Sequence, residues 1–277
     1  MSSAVPVLLA LDTATDRIHA ALAVGESVQT LDLPGGAQAS AGLLPALQGL
    51  LQDAGQSWTS VDAIAFGSGP GAFTGLRTAC SVTQGLALGT GCAVIALDTL
   101  MAVAEDARQQ APQACPTGTT LWVLQDARMD ELYVGAFRWD GARWQATQAP
   151  QLWPLDEPAR RWSDPATAPG VRLCGNALSA YPERFAAVLA AGAMVLGQGS
   201  APRGAALAAL AQQAWAAGET VDAALALPRY VRDKVAQTTA ERQAAQAPRY
   251  IDRPMTEADI PAVLAMEQAA CRLHPLH

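Results

Sequence analysis

The sequence predicts an α/β chain of two lobes, each a mixed β-sheet with flanking helices. Three observations predict it. The chain opens with three short apolar strands and then alternates helix and strand. The same opening recurs after a proline- and glycine-containing break at Ala111–Thr119. A glycine-rich stretch, G-S-G-P-G-A-F-T-G-L-R at Gly67–Arg77, joins a buried strand to a helix in the first half. Alternating β and α patterns of this kind build sheets covered by helices.

The first lobe, residues 1–110, reads βββαβαβα. Val7–Leu11 is a buried strand ending in Asp12. In Arg17–Val24 the residues Ile18, Ala20, Leu22 and Val24 alternate with Arg17, His19, Ala21 and Ala23, a period of two, which places His19 on a polar, solvated face. Ser27–Leu33 completes an antiparallel meander that Pro34-Gly35-Gly36 closes. Ser40–Ala54 is a helix whose Leu43, Leu44, Leu47, Leu50 and Leu51 form one stripe, with Pro45 tolerated in its first turn. Val61–Phe66 is a strand, and a helix starting at Thr74 follows the glycines, with Thr74 as the expected N-cap. Cys92–Leu97 and Thr99–Gln110 add a strand and a helix.

The second lobe, residues 111–235, starts with Leu121–Leu124, Asp126 and the alternating strand Glu131–Trp139. Strand–Asp–turn–Asp–strand therefore occurs twice, at Asp12/Asp16 and Asp126/Asp130, a faint internal duplication. Pro150–Pro169 reads as irregular. Val171–Cys174, Tyr181–Ala190, Met194–Leu196 and the alanine-rich Arg203–Ala217 complete the alternation. The tryptophans of this half are read as packing. Residues 236–277 read as a polar linker followed by a short strand-then-helix opening.

Two such lobes, each led by a hairpin with an aspartate after its first strand, suggest the actin-like ATPase (ASKHA) architecture. There the hairpins cradle phosphates and the aspartates position metal and water. Such hairpins need glycine so that amides point at phosphate. Ala14 stands where one is wanted, and Asp126-Ala127-Arg128-Met129 has none, so both cradles read as degraded. Asp12, Thr13, Thr15 and Asp126 are the candidate vestigial nucleotide site, against turn aspartates capping their own backbone. The glycine stretch itself lacks the lysine and spacing of a Walker loop.

Composition narrows the rest. With 25 acidic against 18 basic residues, a net charge of −7 and one lysine (Lys234), independent nucleic-acid binding is disfavoured. Five separated cysteines without C-x-x-C argue against a disulfide framework or zinc site and fit a reducing cytoplasm. The N-terminus lacks a signal peptide's basic region, and no apolar run approaches the ~20 residues of a membrane span. Among histidines, only His19 lies in the body of the chain, so no histidine pair supports a triad or a metal.

The ordered blocks L-A-L-D-T-A-T, S-A-G-L-L-P, G-S-G-P-G-A-F-T-G-L-R, Q-G-L-A-L-G, D-A-R-M-D-E-L-Y and P-R-Y-V-R-D-K-V-A, spanning about residues 5–236, resemble the TsaB (YeaZ) family. The resemblance implies an actin-like fold and a non-catalytic subunit of the complex that makes threonylcarbamoyladenosine in tRNA. It implies pairing with a TsaD-like catalytic subunit through two first-lobe helices, a TsaE-like ATPase in the same assembly and tRNA contact only through the complex; no cofactor is expected, and weak self-association into a homodimer is expected when the partner is absent. The resemblance carries over Ser40, Leu43, Leu44 and Pro45 on one helix and Thr74, Gly75, Leu76 and Arg77 on the other as interface and scaffold residues. Leu47 of the leucine stripe and Cys80, which otherwise reads as a small core residue, complete the candidate interface, against the alternative that these helix faces are core. Ala39 and Ala41 stand where the family often has His and Glu, which weakens polar contacts from the start of the first helix. Gly75→Leu is expected to leave a soluble fold with impaired partner assembly. The tail R-P-M-T-E-A-D-I-P-A-V-L-A-M-E resembles the opening of a RimI-like GNAT acetyltransferase without the later acetyl-CoA loop, so no acetyltransferase activity is expected. A self-sufficient actin-like ATPase or kinase using Asp12 and Asp126 is the competing function. A peptidase lacks any nucleophile–base pair.

Overall fold

The computed structural model describes residues 5–35 and 39–232, with the side chains of 39–41 excepted. The linker, the acetyltransferase-like tail and the Ser40 side chain, all singled out above, lie outside the described residues.

Two five-stranded sheets carry the architecture. The first contains β1 (Val7–Asp12), β2 (Arg17–Val24), β3 (Ser27–Pro34), β4 (Ala63–Gly67) and β5 (Ala93–Leu97), in the order β3-β2-β1-β4-β5. The second contains β6 (Thr120–Arg128), β7 (Glu131–Trp139), β8 (Trp144–Pro154), β9 (Arg172–Cys174) and β10 (Met194–Val195), in the order β10-β9-β6-β7-β8. Read from the meander outward, the two orders are the same. In each, three antiparallel strands are joined by their first member to two parallel ones. The helices repeat as well. α1 (Ala39–Asp53), α2 (Phe73–Thr90) and α3 (Thr99–Gln110) follow β3, β4 and β5, while α4 (Glu157–Trp162), α5 (Ala177–Ala180), α6 (Pro182–Ala190) and α7 (Gly204–Ala216) follow β8, β9 and β10. The duplication faint in the sequence is plain in the topology.

Alternation along β2 decides the layering. Ile18, Ala20 and Leu22 pack with α1 and α2 on the outer face, through Leu43, Leu47, Leu51, Ala79 and Cys80. Ala21 and Ala23 face the other way, into a core shared by α3, α7 and both sheets. A third core lies outside the second sheet, where Trp153, Trp162, Phe185 and Val188 meet. The last helix of each half crosses over: α7 packs on β1, β2 and β3, and α3 packs on β6 and β7. A cut at residue 110 would strip each sheet of one of its layers.

Several expectations are corrected. His19 is buried, 2% exposed, because α7 covers the face read as solvated; burial lowers its pKa, with Asp32 at 3.6 Å opposing. Thr74 is not the N-cap: α2 starts at Phe73, and Ala72 precedes it without a side-chain cap. Most of Pro150–Pro169 is ordered, since β8 runs to Pro154 and α4 follows. The tryptophans do pack, with Trp122, Trp153 and Trp162 at 4.9–5.8 Å between ring centroids. No helix among the described residues is long and apolar enough to cross a membrane.

Candidate functional site

The carboxyl ends of β1, β4 and β5 meet where parallel strands usually present a ligand. Here that crevice is filled by the chain itself. Asp12 is fully buried: Oδ1 accepts from the Ala14 amide at 2.7 Å, and Oδ2 accepts from the Thr99 hydroxyl at 2.7 Å. Thr99 Oγ1 in turn accepts from the Gly69 amide at 3.2 Å. Desolvation raises the Asp12 pKa to about 6, against these hydrogen bonds. Asp98, which caps α3 through the Leu100 and Met101 amides, is also raised to about 6 by burial, although Arg229 lies 3.0 Å away.

The glycine stretch is pressed onto the first hairpin. Thr13 Oγ1 donates to Gly75 O at 2.6 Å, and the Ala72 amide donates to Ala14 O at 2.8 Å. A Cβ on Gly71 would sit 2.5 Å from Ala14 Cβ, and one on Gly75 would overlap the Thr13 carbonyl. Only glycine allows that approach. This corrects the expectation for Gly75→Leu: the larger side chain would break the hairpin packing rather than spare the fold. From the second sheet, the Tyr133 hydroxyl donates to Gly71 O at 3.4 Å. Thr15, by contrast, is confined to its own turn, bonding Arg17 at 3.2 Å.

In the second hairpin, Asp126 Oδ1 accepts from the Arg128 amide at 2.8 Å and from the Tyr181 hydroxyl at 2.9 Å, while Oδ2 pairs with Arg128 at 3.1 Å. The structure brings Asp12 and Thr13 together with the glycine loop. It gives Asp126 an unrelated set of partners, Arg128 and Tyr181. Both aspartates cap the turn that follows them.

The outer face of the first sheet divides the expected interface residues. Leu43, Leu47, Leu76 and Cys80 are buried in the core beneath α1 and α2, so they support these helices and cannot face a partner. Leu44, 44% exposed, Thr74 and Arg77 face outward. Leu88, 69% exposed, joins them. Gly42, Gly49, Gly85 and Gly89 lie open, with no atom within 4 Å of an added Cβ. Sequence reasoning missed Leu88, Thr99, Arg229, Tyr230 and Arg232. The P-R-Y-V-R motif was the visible signal for the last three, without showing what they touch.

Two duplicated halves with interchanged helices and a hairpin at the carboxyl end of each first strand define an actin-like (ASKHA) fold. The glycine stretch covers the first of these hairpins. TsaB of Escherichia coli, a tRNA threonylcarbamoyladenosine biosynthesis protein, is 30% identical over 238 residues, covering 83% of this chain and 96% of that protein. The Haemophilus influenzae TsaB is 37% identical over 127 residues, 46% of this chain and 51% of that protein. The solved YeaZ of Pseudomonas aeruginosa superposes with a TM-score of 0.66 at 32% identity, over 81% of this chain and 99% of that one. A second Pseudomonas aeruginosa structure, described as similar to peptidase YeaZ, gives 0.69 at 34% identity, over 82% and 100%. The model of the TsaD family, tRNA N6-adenosine threonylcarbamoyltransferase, matches residues 36–165. The chain belongs to the TsaB family of tRNA threonylcarbamoyladenosine biosynthesis proteins.

Proposed function

We propose that this chain is a non-catalytic scaffold subunit of the tRNA N6-adenosine threonylcarbamoyltransferase complex, docking a TsaD-like catalytic subunit through α1 and α2. The observation that carries the reading is the filled first cradle. Asp12 spends both oxygens on Ala14 and Thr99, and the backbone of Thr13 and Ala14 is covered by Gly71–Gly75. A carboxylate with each oxygen already bonded to its own chain and no exposure to solvent is closed to metal and water. The outward residues Leu44, Leu88, Thr74 and Arg77 with four open glycines offer a surface on which a partner's helices approach closely. A TsaE-like ATPase joins the same assembly, and tRNA is held by the complex rather than by this acidic chain.

The test is a calorimetric titration of the TsaD-like subunit into this chain. Complex formation that Leu44→Glu abolishes is the expected result, and no complex with the unaltered chain would remove the reading. The competing ATPase reading predicts tight Mg-ATP binding and turnover by the isolated chain, which the scaffold reading does not.

A further inference from the structure

The irregular stretch Ala226–Arg232 runs from α2 to the second sheet, and it is fastened at Ala226, Arg229, Tyr230 and Arg232. Ala226 O accepts from Cys80 Sγ at 3.2 Å and Gln84 Nε2 at 3.0 Å, both on α2. The Arg229 amide donates to Ser68 O at 2.6 Å, and its guanidinium pairs with Asp98 at 3.0 Å. The Tyr230 ring lies 5.0 Å from that of Phe73, and its hydroxyl accepts from Arg77 Nε at 3.2 Å. Arg77 is thereby held with its guanidinium 3.8 Å above the Phe73 ring. Two residues on, Arg232 forms an ion pair with Glu131 and donates to Arg128 O at 3.3 Å.

The far anchor is distinctive. Arg128, Met129 and Asp130 have φ of 62°, 59° and 56°, three successive left-handed residues without a glycine. Such a turn persists only where its surroundings hold it. Arg232 supplies part of that hold: its Nη2 reaches both a turn carbonyl, Arg128 O, and the Glu131 carboxylate that begins β7.

We propose that Ala226–Arg232 is a latch. It ties the second-sheet hairpin Arg128–Glu131 to the first turn of α2, so that the conformation of the hairpin and the orientation of Arg77 are set together. A protein partner that takes Arg77 away from Tyr230 would then loosen the hairpin. That consequence rests on the docking reading, whereas the latch itself is a property of the chain alone.

The latch is tested by changing one end and reading the other in the full-length chain, by hydrogen exchange. Tyr230→Ala does not touch the hairpin, yet amides of residues 128–132 should exchange about tenfold faster or more. Arg232→Ala does not touch α2, yet the Leu76 and Arg77 amides should accelerate similarly. Amides of α6 should keep their protection in both variants, and Arg232→Lys should restore part of it at Leu76 and Arg77. An unchanged far end in both variants overturns the latch. So does equal acceleration in α6, which would mean general destabilisation. Because no partner is present, failure here is distinct from failure of docking.

Discussion

Gly75→Ala and Gly85→Ala make the same chemical change in the same helix, and the structure predicts opposite signs. At Gly75 the new methyl would overlap the Thr13 carbonyl oxygen and lie 2.8 Å from its carbon, where ordinary contact begins near 3.4 Å. Backbone meets backbone there, so no rotamer relieves the clash. Moving the helix away stretches the Thr13–Gly75 and Ala72–Ala14 hydrogen bonds, now 2.6 and 2.8 Å. Overpacking of this kind costs about 1–3 kcal/mol, and two lost hydrogen bonds add roughly 1 kcal/mol each. The intrinsic preference of a helix for alanine returns about 1 kcal/mol. The net expectation is a loss of roughly 2–4 kcal/mol. At Gly85 nothing lies within 4 Å of the added carbon, so only the helix term remains, a gain of about 0.5–1 kcal/mol. Urea unfolding followed by tryptophan fluorescence reads both. Gly75→Ala as stable as the unaltered chain would refute the close approach of hairpin and helix. A destabilised Gly85→Ala would refute the open face.

Two further substitutions follow from burial and charge. Leu44→Glu should change stability by no more than about 0.5 kcal/mol while abolishing partner docking and any self-association measured by light scattering. Leu43→Glu one residue earlier should prevent folding, because it places a carboxylate in the core; an equally stable Leu43→Glu chain would contradict the layering. For pH, the folded Asp12 holds its proton up to about 6, against an ordinary value of 3.8. The native state therefore binds more protons than the unfolded chain between these values, and Asp12 costs stability as pH rises through that window. Asp12→Asn keeps the acceptor for Ala14 and removes the titration, so its stability relative to the unaltered chain should rise from pH 4 to 6.5 and then level off. The span is up to roughly 3 kcal/mol, measured by urea midpoints at each pH. A difference that is flat across this range, or falls, would contradict the buried, ionising Asp12.

The chain's regular elements were legible where one residue pattern had one reading. The leucine stripe of α1 and the alternation of β2 fall within a residue or two of the observed elements, and Thr99–Gln110 is reproduced. What failed was information held elsewhere in the chain. His19 looked solvated because its cover, α7, comes nearly two hundred residues later. The stripe on α1 correctly marked a packed face, but periodicity does not say whether the packing is internal. Leu43 and Leu47 proved to be core and Leu44 surface. Strand β8 was obscured by Pro150 and Pro154, which sit in an edge strand where a missing amide costs nothing in the sheet. The glycines of Gly67–Arg77 announced a close approach but not its object. That object is the chain's own hairpin, so the stretch serves as internal packing. The latch residues Arg229, Tyr230 and Arg232 had no periodicity at all, because their partners are four separate elements.

The central claim, scaffold rather than catalyst, is tested most directly by product formation in a reconstituted reaction of TsaD-like and TsaE-like subunits, threonylcarbamoyl-adenylate and tRNA. The account predicts that omitting this chain abolishes threonylcarbamoyladenosine. It also predicts that the Asp126→Asn chain, which keeps the acceptor for the Arg128 amide and Tyr181, restores product as fully as the unaltered chain. Undiminished product without the chain, or an Asp126→Asn chain as inert as omission, would contradict it.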